Sequence, residues 1–203
     1  MEKVQKDLTR AIRKGDVGTI IKLRREHDHL PSLEGETYKK TSISGVDLSY
    51  LDFTNTEWDS CMLERVQFKA VEWEGAYFPS SIFVDAQFEK SRLFQVAADG
   101  SVFRNCRFID IDFEEVELSG ADFVNCEFTR CQFDQCEIDA STFTGGTMTD
   151  VSFDGGTFNA VTFRDVEQKN VRLIDVELSG CSGSGTLPEG FRPLTGRRKV
   201  VQK

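Results

Sequence analysis

Six cysteines, two histidines and 34 acidic residues are the side chains of this 203-residue chain best suited to chemistry. Paired thiols make disulfides or zinc sites, a histidine beside a nucleophile acts as its base, and paired carboxylates serve as acid and base. The spacings do not favour any of these. Cys61, Cys106, Cys126, Cys131, Cys136 and Cys181 include no C-x-x-C pair. His27-Asp28-His29 offers two metal ligands without a third, and residues 41–180 hold no histidine to activate a nucleophile. The phosphate-cradling loop, the dinucleotide glycines, H-E-x-x-H and the calcium loop are also missing. The chain reads as a non-enzyme with no cofactor and no metal.

What the cysteines share is a place in a larger rhythm. From 41 to 180 a large apolar residue stands at every fifth position, beginning Ile43, Leu48, Phe53, Trp58 and ending Leu173, Leu178; of 28 centres only Ala98 and Gln168 break the run. Two residues before each centre lies a small or β-branched residue, and all six cysteines fall in that series. Residues two apart share one face of a strand, so both series point inward. Five residues suit neither a helix nor a straight strand, so the chain must bend once per repeat, where Gly45, Asn55, Gly75, Asn105 and Gly120 tolerate bending. Cysteines so placed read as reduced, buried fillers, which fits a cytoplasmic protein.

Ala121-Asp122-Phe123-Val124-Asn125 resembles the motif of the pentapeptide-repeat family. The resemblance implies an all-β solenoid over residues 41–180, a right-handed quadrilateral β-helix with 20 residues per coil. Its seven coils would make a prism ~34 Å long at ~4.8 Å per coil.

Residues 1–40 lack the rhythm and read as a helical N-terminal cap. Val4, Leu8, Ala11 and Ile12 recur at helical spacing, Gly15 is a stop, Asp16 an N-cap, and Val17, Ile20 and Ile21 open a second helix. The cadence at residues 3–26 weakly resembles an ankyrin helix pair. Residues 181–203 read as an exit, with Leu187 and Phe191 folding over the last coil and a basic tail at Arg197-Arg198-Lys199. No 18-residue apolar run exists, and no membrane role is expected.

Folding the repeats four to a coil sorts the charge by side. Counted from Thr41, the first side has four acidic and three basic residues, the second six and five, the third nine and two, and the fourth seven and none. The acid therefore gathers on two adjacent sides, in a strip of Asp52, Glu57, Asp59, Glu72, Glu74, Asp112, Glu114, Glu115, Glu117, Asp134, Glu137 and Asp139. A solvated coat that prevents lateral stacking would be uniform, and this one is not. The partner it suits is a protein with a basic surface, without direct contact to nucleic acid. The net 14 charges of the two sides, spread over the prism, give one per ~2.4 Å, against one per ~1.7 Å in duplex DNA. The resemblance adds an alternative, since some family members are DNA mimics that occupy the DNA-binding saddle of type II topoisomerases. The chain departs from those members in having no inserted loop, and in a tail with Pro188 and Pro193 where they carry a helical dimer cap.

A second surface is apolar. Met62, Ile82 and Val102 recur in one outward slot of the first side, with Val84 and Val124 across the centre line. Such a strip is expected to be covered by a second copy of the chain, making a homodimer, by residues 1–40 folding back, or by a partner. Ala98, a methyl group where a Phe or Leu belongs, is expected to leave a void unless Phe94 turns inward.

Overall fold

Every fifth residue from Gly35 to Gly180 lies in the left-handed region, with φ between 49 and 72°, and only eight of the thirty are glycine. One such residue per repeat turns the chain through a corner, so that four short sides close a coil. A computed structural model describes residues 1–184, Pro188 and the backbone of Arg198–Lys199. Within it, strands of mostly three residues stack in parallel on the strand 20 positions away, as in Phe103↔Phe123 and Phe108↔Phe128.

The first face is an eight-stranded sheet from Ser42–Ser44 to Ser182–Ser184. The second and third faces join in one sheet, because Thr147–Asp154 runs on through their shared corner. The fourth face carries Glu117–Ser119 and the strands stacked on it, ending where Arg198–Lys199 pairs antiparallel with Glu177–Leu178. Leu187, Phe191 and Arg197 lie outside the described residues.

The register begins two repeats before the boundary expected at residue 41. Leu33 and Tyr38 are wholly buried centres, the Leu33 amide donates to Asp52 O at 2.9 Å, and Thr37–Lys39 pairs with Glu57–Asp59. Pro31 and Glu36 stand where a small residue marks the later repeats, which hides these two in the sequence. The helical part of the cap is therefore shorter, α1 at Glu2–Lys14 and α2 at Val17–Glu26. Gly15 ends α1 at φ 64°, and Asp16 caps α2 by accepting from the Thr19 amide at 3.0 Å.

The cap sits on the end of the prism. Leu8, Ala11, Ile12, Ile20 and Leu23 are buried in the same core as the first coil. Arg13 donates to Thr37 O at 3.1 Å, Arg24 donates to Asp47 O at 2.8 Å, and a Cβ on Gly15 would fall 2.4 Å from Ser42 O. The hairpin thus seals the edge that a first coil must otherwise expose.

Inside, rings stack coil on coil. Phe83, Phe103, Phe123, Phe143 and Phe163 form one column with centroids 4.8–4.9 Å apart, and Phe113 and Phe133 stack at 4.2 Å. The spacing is that of the strands, so each ring takes the distance the backbone ladder sets. At Ala98 the column fails. A closed apolar cavity of about 20 Å³ lies among Ala98, Phe78, Phe113 and Leu118, while Phe94 points outward with the Arg92 guanidinium over its ring at 4.7 Å. The backbone ladder continues through this coil, with the Ala97 amide donating to Ala76 O at 3.1 Å and the Ala98 amide to Glu117 O at 3.0 Å, so only the side chain is missing. Gln168, the other break, pairs in register with Met148 and leaves its buried amide without a hydrogen-bond partner.

The cysteines are free thiols in the small inward series, all buried. Each Sγ donates to the carbonyl of a centre in the coil before, from Cys61 on Tyr38 O at 3.3 Å to Cys181 on Phe158 O at 3.2 Å. Ser81, Ser101 and Ser141 make the same bond, to Trp58 O, Phe78 O and Leu118 O. The position therefore selects a small donor for a corner carbonyl, and the thiol is the less polar way to supply one. Burial pushes the Cys131 and Cys136 thiols up to about 12. Among the described residues, no helix is long and apolar enough to cross a membrane.

Candidate protein-interaction surface

The two outward slots of each three-residue strand flank the buried centre, so a strand shows two side chains to solvent whatever its core residue. On the third and fourth faces those slots and the corner between them hold the acidic strip. Glu72, Glu74, Asp112, Glu115, Glu117, Asp134 and Glu137 are exposed, while Asp52, Glu57, Asp59, Glu114 and Asp139 are half-buried.

The strip is divided along its length. At the N-terminal end Asp52 accepts from Ser32 Oγ at 2.8 Å and from the Thr54 amide at 2.9 Å, and Lys39 Nζ lies 3.3 Å from Glu57 and 3.9 Å from Asp59. Partial burial raises the Asp52 carboxyl, but the Thr54 and Ser32 bonds outweigh it and hold the group below the usual range. Glu114 takes Arg92 at 2.5 Å. The remaining carboxylates, Glu72, Glu74, Asp112, Glu115, Glu117, Asp134, Glu137 and Asp139, form no ion pair among the described residues. Ser32 and Lys39 belong to the two early repeats, and Leu33 and Tyr38 are the sequence signal that would have placed them.

Where the third face turns into the fourth, Gln95, Glu115 and Gln135 stand across from Ala97, Glu117 and Glu137, and an open groove of about 470 Å³ runs between them. Ala97 keeps its floor low. Gln95 donates to Glu115 Oε2 at 2.9 Å, and the carboxylates of Glu115, Glu117 and Glu137 line one groove.

The first and second faces handle charge differently. Arg130 binds Asp110 at 2.5 Å, Arg107 binds Glu127 at 2.9 Å, and Lys69 lies 3.3 Å from Glu89, each pair joining successive coils. Exposed pairs of this kind add little stability, ~0–1 kcal/mol each, but they cancel the field of the face. The Arg130 bond holds the Asp110 carboxyl below its usual range.

The apolar strip lies as the sequence places it. Met62, Ile82 and Val102 stack in register, as do Glu64, Val84 and Arg104, with Val124 next. Met62 is 44 % exposed, while Ile82, Val84, Val102 and Val124 are half-buried by their neighbours. The hairpin is not what covers it, because its bonds are made on the first coil at Thr37, Asp47 and Ser49. Among the described residues no cluster of three or more His, Cys, Asp or Glu is arranged to hold a metal, and His29 is exposed at the end of the cap.

Four-sided coils with a buried central side chain, mostly large and apolar, every fifth residue define a β-solenoid of repeats. The chain carries a pentapeptide repeat region, and that family's model matches residues 66–143. Solved structures similar to the chain include HetL, a pentapeptide repeat protein involved in heterocyst differentiation regulation from the cyanobacterium Nostoc. That likeness has 12% identity, 81% of each chain covered and a TM-score of 0.46. A trypsin-treated form of QnrB1, a plasmid-mediated fluoroquinolone resistance protein, is similar at 19% identity over 70% of this chain and 89% of its own, with a TM-score of 0.40. Rfr23, a pentapeptide repeat protein from the cyanobacterium Cyanothece, is similar at 12% identity over 78% and 93%, with a TM-score of 0.28. No curated protein matches the chain.

Proposed function

We propose that this chain is a non-catalytic, cytoplasmic interaction module that presents the corner between its third and fourth faces to a basic surface on a partner protein. The observation that carries the reading is the groove at that corner, where Glu115, Glu117 and Glu137 converge without a cation among the described residues. On the first and second faces Glu64, Glu89, Asp110 and Glu127 pair with lysine or arginine, so a smaller share of the carboxylates is left unpaired there than on the third and fourth. A surface that merely kept the chain soluble would have no reason to leave one corner unneutralised.

A second reading is favoured by charge density alone. The two acidic sides approach the line charge of duplex DNA, so a saddle that holds DNA, such as that of a type II topoisomerase, has the matching sign and spacing. Affinity capture from native extract separates the readings. Basic proteins should be retained at low salt and released steeply as salt rises, because exposed charges are screened over about 8 Å at physiological ionic strength. Release by duplex DNA, with topoisomerase subunits among the retained proteins, supports the second reading. Retention that is indifferent to salt would contradict both.

A further inference from the structure

The outward slots of the first face have a symmetry that the fold does not require. One slot reads Met62, Ile82, Val102 in successive coils, and the other reads Glu64, Val84, Arg104. The first row is apolar over these three coils, between Ser42 before it and Asp122 after it. The second carries an acid one coil before its valine and a base one coil after it. Arg104 is exposed and forms no ion pair among the described residues, while Glu64 is held by Arg65 and lies 3.4 Å from Ser44 Oγ.

We infer that the first face is the contact of a two-fold dimer with a second copy of this chain, its axis passing over Phe83 between Ile82 and Val84 and crossing the prism at right angles. Rotation about that axis reverses the order of coils and keeps each slot opposite itself. Ile82 then meets Ile82 of the partner subunit, Val84 meets Val84 of the partner subunit, and Met62 meets Val102 of the partner subunit. Glu64 meets Arg104 of the partner subunit, and the pair occurs twice. One coil further out, Asp122 and Val124 fall opposite Ser42 and Ser44 of the partner subunit, so no like charges oppose each other in these slots over five coils. A self-complementary patch of this kind is what an isologous contact needs.

Other placements fail on the same residues. An axis along the prism sets Glu64 against Met62 of the partner subunit and Arg104 against Val102 of the partner subunit. An axis one coil later opposes Arg104 to itself. The dimer also keeps the third and fourth faces turned away from the contact, so the acidic corners stay free, and the inference stands independently of the function proposed for them. A face about 34 Å by roughly 10 Å is smaller than the interfaces of permanent dimers, so the association is weak and concentration-dependent.

Sedimentation of the full chain over a concentration series tests this directly. Arg104→Glu and Glu64→Arg should each abolish the dimer, and the two changes together should restore it, since the exchanged charges again oppose each other. Oxidation of Ile82→Cys should give a covalent dimer across the axis, and Thr142→Cys should give none; the six native thiols are buried and do not compete. A mass that stays monomeric up to the solubility limit would overturn the inference. So would reversals that leave the dimer intact, or a double exchange that fails to restore it.

Discussion

The first and second faces and the third and fourth hang on one core and one backbone, yet they meet solvent in opposite ways. On the first pair, Arg130, Arg107 and Lys69 answer the acids of neighbouring coils. On the second pair, among the described residues, only Arg92 and, at the N-terminal end, Lys39 do so. The difference teaches that the buried residues fix the coil while the two outward slots of each strand stay free to carry a surface. Charge can then change from face to face at almost no cost to the fold.

If the core is indifferent to what its faces carry, Phe103→Ala under the first face and Phe113→Ala under the third should destabilise alike. Both rings are buried in stacks, so each loss should cost about 3–5 kcal/mol by denaturant unfolding. A several-fold gap between them would break the comparison at its root.

The small inward position is shared by the faces, with Cys61 beside Ser81 and Ser101 on the first and Cys131 and Cys136 on the third and fourth. The Cys131 and Cys136 thiols are raised by burial from 9.0 to about 12. A raised folded value means that their contribution is fully present below pH 9.0 and is lost as pH climbs towards 12. Unfolding at a series of pH values should show this decline, with a shallower slope for Cys131→Ser with Cys136→Ser. The replaced hydroxyls can donate to Phe108 O and Phe113 O as the thiols do, so neutral-pH stability should change little.

Ala98 makes the fourth face the one with a void behind it. Ala98→Leu should fill the cavity and raise stability by about 1 kcal/mol, seen as a higher Tm. The smallest effect belongs to the corners. Ala70 ends a repeat of the second face and Ala140 one of the fourth, at φ 49 and 50°. Either residue changed to glycine should relieve left-handed strain, with a gain of up to about 1 kcal/mol less the added freedom of the unfolded chain, and equally on both faces.

Much of this was legible in the sequence because a period of five admits few structures. The centres, the inward cysteines, the Gly15–Asp16 junction of the cap and the void at Ala98 all follow from spacing and side-chain size. The two early repeats did not, since Pro31 and Glu36 break the pattern while the backbone of Leu33 and Tyr38 still bonds to the coil above. Nor did the division of the acidic strip. Which carboxylate finds a cation depends on side chains reaching across stacked coils, as Arg92 reaches Glu114, and composition by face carries no trace of it. The hydrogen bond of each thiol to a corner carbonyl was hidden for the same reason, although serine in equivalent positions was a hint.

If the acidic corner binds a partner, a charge reversal at the groove should abolish that binding. Glu115, Glu117, Asp134 and Glu137 changed together to Lys add eight positive charges at the corner and touch no buried centre. Asp85, Asp150, Asp165 and Glu167 changed to Lys add the same charge on the first two faces, at carboxylates without an ion pair among the described residues. Retention of partner proteins from native extract is then compared for the two variants and the unchanged chain, at one salt concentration. The corner variant should lose the proteins that the unchanged chain and the second variant both retain. Equal retention by the two variants, or equal loss, would mean that the corner contributes bulk charge and no binding surface.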